Sequence, residues 1–180
     1  MSDPLEATPP AGDTVYSERR FNLRLCDIPL ADGTETRRGV VVHGGSVVLV
    51  PVTDDGEIVL IRNRRWQLGQ VLLELAAGTR EPHETPNQCA ARELAEETGF
   101  CAGQLTPLAP IFALPGLTTE IMYPFVARAL TPVGQSLEVD EDIEVVTYPV
   151  DAVRRMLADG EIRDAKSMAI LGRVILAGLV

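Results

Sequence analysis

Phe21, Leu23 and Leu25 recur at every second position, the spacing of a strand with one buried face, and the strand they predict starts near Val15. Asp32-Gly33 then signals a hairpin into the next strand. Val40 to Val52 is rich in β-branched residues and reads as extended, with Gly44-Gly45 as a bulge or kink. Asp54-Asp55-Gly56 is a further turn. Ile58 to Ile61 predicts a short buried strand that runs out into Arg62, Arg64 and Arg65, and Val71 to Leu75 predicts another.

The spacing becomes helical after Thr85. Thr85 is a good N-cap, Pro86 suits the first helical position, Gln88 completes a capping box, and Gly99 is a natural stop. Ile111 to Leu114 and Ile121 to Leu130 read as strands around a Pro115-Gly116 turn. Val145 to Val150 reads as a strand, and Asp151 to Ala158 and Ala165 to Ala177 read as helices. Strands and helices are mixed without strict alternation, which predicts an α+β or mixed-sheet sandwich. Residues 1–13, with Pro4, Pro9 and Pro10, have little to bury and are expected to be a disordered tail.

Composition narrows the picture. The chain has 180 residues, 46% of them hydrophobic, enough for one domain with a real core. Its formal net charge is −10. That argues against a nucleic-acid polymer as partner, and equally against an anionic membrane surface. Cys26, Cys89 and Cys101 are odd in number and lack zinc-site spacing, and His43 and His83 lie far apart. Reduced thiols, no signal-like N-terminus and no run of ~18 apolar residues predict a cytoplasmic protein.

The acids are not spread evenly. Six of the 26 lie between Glu74 and Glu97, and five more between Glu138 and Glu144. On the capped helix, at 100° per residue from Glu93, Glu97 falls at 40° and Glu96 at 300° (roughly one face). Ala90, Ala91, Leu94 and Thr98 fall on the other side, between roughly 60° and 160°. Like charges at these spacings repel, so the face is either solvated or built to bind a cation.

The flanking residues favour a cation. Gly78, Glu84, Arg92-Glu93-Leu94-Ala95-Glu96-Glu97-Thr98-Gly99-Phe100 stand in the pattern G-x5-E-x7-R-E-U-x-E-E-x-G-U, where U is aliphatic or aromatic. This resembles the Nudix box at every fixed position, and a chance match is on the order of 10⁻⁷ from ordinary residue usage. The resemblance implies a Nudix-type α/β/α sandwich with a mixed sheet, and metal-assisted cleavage of a nucleoside diphosphate compound. Hard Mg²⁺ or Mn²⁺ ions suit carboxylate ligands, neutralise phosphate oxygens and acidify water. Glu93 and Glu97, one turn apart, can hold one ion or bridge two, with Glu96 on the same face. The resemblance adds the Ala77 carbonyl as a further ligand. Gly78 is expected to allow a tight turn before the helix. Arg92 is placed either to pair with Glu84 and orient the glutamates or to form a plain bridge to Glu96.

Three further segments resemble the ADP-ribose pyrophosphatase branch. Ile61-Arg62-Asn63-Arg64-Arg65 precedes Glu74-Leu75-Ala76-Ala77-Gly78, similar to an arginine-bearing strand before E-[IL]-P-A-G, with Ala76 in place of proline. Leu114-Pro115-Gly116-Leu117-Thr118-Thr119-Glu120 is similar to S-P-G-x-[ST]-x-E, with Leu114 in place of serine. Asp140-Glu141-Asp142-Ile143-Glu144-Val145 is similar to a late acidic segment. The resemblance implies that Glu141 is a late metal ligand and that the general base lies nearby. Some relatives have a glutamate where this chain has Val139, which leaves Glu120, Glu138 and Asp140 as candidates. Arg62, Arg64 and Arg65 would face the substrate phosphates, although strand alternation puts Arg62 and Arg64 on one face and Arg65 on the other. Arg37 and Arg38 form a second possible clamp, and Pro115 and Gly116 belong to the substrate loop. Trp66 either stacks on a base or fills a core or an interface. By resemblance, residues 14–38, with Tyr16 and Phe21, form a strand extension that pairs with a second subunit, and residues 39–180 form the hydrolase domain. The expected activity is cleavage of ADP-ribose or a related nucleoside diphosphate sugar to a nucleoside monophosphate and a sugar phosphate. The alternatives are a dinucleotide or triphosphate substrate, or a nucleotide-binding regulator without turnover.

Overall fold

The computed structural model describes residue 9 and residues 11–180. Three antiparallel strands come first: β1 (Gly12–Ser17), β2 (Phe21–Pro29) and β3 (Glu35–His43), in the order β1-β2-β3. Gly12 and Asp13, expected in the tail, therefore start a strand, while residues 1–8 and 10 of that expectation lie outside the described residues. The single strand expected from Val15 is two, broken at Glu18, whose N–H donates to the Phe21 carbonyl at 3.0 Å. The Asp32-Gly33 hairpin is present: Gly33 has φ +84°, and Asp32 Oδ1 accepts from the Thr34 N–H at 3.0 Å.

The long run from Val40 divides at its two glycines. Gly45, with φ +92°, carries the chain out of β3 into a different sheet as β4 (Ser46–Pro51). After β5 (Glu57–Arg65), β6 (Gln70–Glu74) and the short β7 (Ala77–Thr79) comes α1 (Pro86–Thr98), with β8 (Phe100–Pro107) following directly. Then come β9 (Ile111–Phe112), β10 (Ile121–Pro132), β11 (Ile143–Pro149), α2 (Val150–Ala158) and α3 (Ala165–Leu176). The α1 caps are those expected, with Thr85 and Gln88 forming the box and Gly99 left-handed at φ +72°.

Two sheets form the middle of the sandwich. One has the order β7-β4-β10-β8 with β9 on β10; β4 and β10 run parallel and the other pairs antiparallel. The other has the order β11-β5-β6 and is antiparallel. All six residues of β4 are buried because helices cover both faces. Val47 and Leu49 pack with Ala90 and Leu94 of α1, and Val48 and Val50 pack with Val153 of α2 and Ile170 of α3. The mixed-sheet α/β/α architecture is the expected one. β8 escapes sequence reading because it is an edge strand of mostly exposed residues interrupted by Gly103. β9 stops at Phe112 because the Leu114 carbonyl instead accepts the Leu117 and Thr118 N–H groups, closing the Pro115-Gly116 turn.

Candidate active site

Two of the three α1 glutamates face inward rather than to water. Glu93 is 7% exposed and Glu97 4%, so two carboxylates are buried beside the apolar stripe, whereas Ala91, expected to pack, is exposed. Ala91 lies at the edge of the predicted arc, and the buried sector is rotated toward the acids.

Gly78 explains how the carboxylates fit. A Cβ at this position would overlap the Glu93 carboxylate, so the glycine is required by close approach and not by the turn expected from sequence. It lies within β7, at no positive φ, opposite Val47. The neighbouring Ala77 N–H donates to Glu97 Oε2 at 2.8 Å. Strand β7 thus holds one glutamate by a hydrogen bond and admits the other by having no side chain.

Arg92 combines the roles that sequence left as alternatives. Its Nε and Nη2 bind both oxygens of Glu84 at 2.7 and 2.8 Å, while Nη1 reaches Glu93 at 2.7 Å and Glu96 at 3.0 Å. The pair with Arg92 holds the Glu84 carboxyl down to about 2. Burial pushes Glu93 up to about 7, and the Arg92 charge offsets this only in part. Burial likewise pushes Glu97 up to about 8, against the Ala77 hydrogen bond.

A cavity of about 290 Å³ is lined by Glu93, Glu96, Glu97 and Glu141, with Arg92 at its wall. Glu141 accepts the Glu138 N–H at 2.9 Å. Glu138 also lines this cavity, and Arg19 and Arg20 of the β1–β2 turn bind it at 2.9 and 3.2 Å. A second cavity of about 410 Å³ shares Arg65, Ala77 and Gly78 with the first, and Glu120 faces this one, accepting from Ser46 Oγ at 2.7 Å. Asp140 is exposed.

The expected phosphate clamp is not assembled as a whole. Arg65 lines both cavities, but Arg62 binds Glu144 and Tyr148 of β11, and Arg64 binds Asp142 just before β11. Alternation along β5 places them there, on the face where Glu144 of β11 and the preceding Asp142 supply the acids. Arg37 pairs with Asp13 and Asp27 within the first sheet, and Arg38 is exposed beside it. Trp66 is 72% exposed in the turn after β5, so it is not a core residue. Pro115 and Gly116 form an exposed turn, and the residues that follow bond to β3 through Val41. Tyr16 and Phe21 contact each other, with ring centres 6.1 Å apart.

Sequence reading passed over several cavity residues. Arg19, Arg20 and Arg80 line the acidic cavity, and Lys166 lines its neighbour. The Arg80 guanidinium stacks over Tyr123 at 5.6 Å, and its buried Nε has no hydrogen-bond partner. None of these residues belongs to a spaced motif, so only tertiary structure brings them in.

The donor set fits a hard divalent cation. Six glutamates line one cavity, and burial holds two of them, Glu93 and Glu97, above the ordinary carboxylate range, so that a further positive charge would favour their ionised form. Among the described residues, no three acidic, histidine or cysteine side chains already converge as a preformed cluster, because Arg92 and the Ala77 N–H engage Glu93, Glu96 and Glu97.

The NUDIX domain model matches residues 42–170. An ADP-ribose pyrophosphatase of Bacillus subtilis is 33% identical over 165 residues, covering 91% of this chain and 89% of that protein. A GDP-mannose pyrophosphatase of Klebsiella pneumoniae is 33% identical over 183 residues, covering 93% and 91%. A crystal structure of an ADP compounds hydrolase superposes with a TM-score of 0.77 at 28% identity, covering 94% of this chain and 93% of that one.

Proposed function

This chain belongs to the Nudix family, and from that premise we propose that it hydrolyses the diphosphate of ADP-ribose or a related nucleoside diphosphate sugar. The products are a nucleoside monophosphate and a sugar phosphate. The observation that carries this reading is the cavity that Glu93, Glu96, Glu97 and Glu141 line together with Gly78 and Arg65.

Glu93, Glu96, Glu97 and Glu141 would hold Mg²⁺ or Mn²⁺, with the Ala77 carbonyl as an added ligand. When bound, the cation neutralises phosphate charge and acidifies water for attack on phosphorus. The chain's own residues prepare that step. Arg92 keeps Glu93 and Glu96 aimed into the cavity, and the Ala77 N–H fixes Glu97. Arg65 lies where the cavities meet and offers a guanidinium to a phosphate oxygen. Glu138 in one cavity and Glu120 in the other can each accept a proton, Glu138 once Arg19 and Arg20 release it. Water adds across the P–O–P bridge, and the bridging oxygen leaves on one of the two phosphates.

Regarding partners, we infer a homodimer in which the β1-β2-β3 sheet pairs with a second copy, supported by exposed Val15 and Tyr16 on that sheet. The net charge of −10 supports a small substrate over a nucleic-acid polymer or an anionic membrane. Among the described residues, no helix is long and apolar enough to cross a membrane. The few, unspaced cysteines support a cytoplasmic setting.

The test is a panel of ADP-ribose, GDP-mannose, dinucleotides and nucleoside triphosphates, each with Mg²⁺ and with Mn²⁺, with products separated. Release of AMP and ribose phosphate from ADP-ribose is expected. Dinucleotides or triphosphates running far ahead would overturn the substrate class.

A further inference from the structure

Four charged side chains run from the cavity wall to the start of α3. Arg65 grips Glu74 through Nε at 2.9 Å and Nη2 at 2.7 Å. Lys166 also binds Glu74, and it binds Asp164 at 2.8 Å. Glu74 is 1% exposed, and the Lys166 side chain 11%. Asp164 caps α3 by accepting the Ser167 N–H at 3.0 Å, and Ser167 Oγ accepts the Leu75 N–H at 2.7 Å. The end of β6 and the first turn of α3 are therefore fastened together around these ions. Burial pushes Asp164 up, but Lys166 and Ser167 outweigh it and hold the carboxyl below its ordinary value.

The arrangement bears on Arg65. Glu74 engages the Nε and Nη2 edge of the guanidinium, which leaves the Nη1 edge outside the pair. Arg65 is also the only ion-paired cation that lines both cavities, among the described residues. A guanidinium paired to a carboxylate of its own has little net field to offer another anion. Lys166 changes that. With it, the four charges sum to zero and Glu74 is shared between two cations. Without it, the cluster carries −1 and Glu74 rests on Arg65 alone.

We propose that Lys166 is a positioning residue for the reaction: by sharing Glu74, it leaves Arg65 fixed in place with positive charge to present to a substrate phosphate at the junction of the two cavities. The proposal rests on the pyrophosphatase reading above, since the anion it serves is that substrate's diphosphate. Lys166 acts through Arg65 and need not touch the phosphate.

The experiment compares wild type, Lys166→Met and Lys166→Arg. Binding of ADP-ribose is measured by calorimetry in EDTA, where no turnover intrudes, and KM and kcat are measured with Mg²⁺. Lys166→Met is expected to bind about tenfold more weakly and to raise KM by a similar factor, with kcat within about threefold. Lys166→Arg, which keeps the charge, should restore affinity to within about threefold. Thermal melting checks the fold, and Lys166→Gln is read in the same way should the methionine variant not fold. Binding by Lys166→Met as tight as that of wild type would overturn the proposal. So would an equal loss of affinity and kcat with no rescue by arginine, which marks a packing role only. A wild-type chain that binds ADP-ribose yet releases no product would defeat the pyrophosphatase reading while leaving the binding comparison intact.

Discussion

Glu97 Oε2 accepts a hydrogen bond from the Ala77 N–H, 20 residues upstream, at 2.8 Å. The bond ties α1 to β7 at the point where a buried carboxylate needs a donor. Glu97→Gln can keep it, because the amide oxygen can replace the carboxylate oxygen toward Ala77. What it removes is the charge that a cation requires. Turnover is expected to fall about a thousandfold, the scale of several kcal/mol of lost electrostatic stabilisation. The metal-free melting temperature should hold or rise, since an uncharged group is no longer forced into a buried site. Steady-state kinetics and calorimetry check both; a folded variant that keeps most of its turnover would refute a metal-ligand role for Glu97.

Gly78→Ala separates close approach from turn formation. The added methyl group would collide with the Glu93 carboxylate, and Gly78 has no positive φ that alanine would strain. Glu93 must therefore swing out, taking with it its pair with Arg92. Activity should drop at least about a hundredfold, with a stability loss of about 1–3 kcal/mol from overpacking. Denaturant unfolding alongside kinetics tests this. A variant as active as wild type would mean that Glu93 does not need its present position.

How much was legible in the sequence depends on what each residue answers to. The caps of α1 are local, and Thr85, Pro86, Gln88 and Gly99 could be read directly. The box glutamates were legible because their spacing is fixed by one helix. Their burial was not, because β7 closes over them and β7 is only three residues long. The direction of Arg62 and Arg64 was half legible. Alternation separated them from Arg65, but the acids that claim them, Asp142 and Glu144, lie around the start of β11, about 80 residues later. Lys166 and Arg80 carried no signal, since each becomes a cavity residue only through packing at long range.

The three β5 arginines give a direct comparison. Arg62→Ala and Arg64→Ala should leave KM within about twofold, because each breaks only exposed contacts to Glu144, Tyr148 or Asp142, and neither arginine lines a cavity. Arg65→Ala removes a cavity guanidinium and strands the buried Glu74 with Lys166 alone. KM should rise at least about tenfold, with a stability loss of about 2–4 kcal/mol. Kinetics on ADP-ribose with matched melting curves decide the matter. Equal KM increases for all three would restore the clamp that sequence suggested.

The buried glutamates set a pH dependence whose sign follows from linkage. In the unfolded chain both carboxyls titrate near ~4.3, whereas in the fold burial raises Glu93 to about 7 and Glu97 to about 8. Between about pH 4.5 and 8 the native state holds protons that the unfolded state has released, so these two groups make stability fall as pH rises. Glu84, held down to about 2 by Arg92, acts the other way at acid pH: its contribution is present above the unfolded value and lost as pH falls toward 2. The metal-free protein should therefore be most stable near pH 5 and melt at progressively lower temperature up to about pH 8. A divalent cation binds the ionised carboxylates and favours deprotonation, so the rise in melting temperature on adding Mg²⁺ should be small at pH 5.5 and larger at pH 8. Glu97→Gln should flatten the metal-free decline and shrink the Mg²⁺ effect together. Melting curves over pH 5 to 8, in EDTA and in Mg²⁺, measure both; a Mg²⁺ shift that does not change with pH would place the ion away from these glutamates.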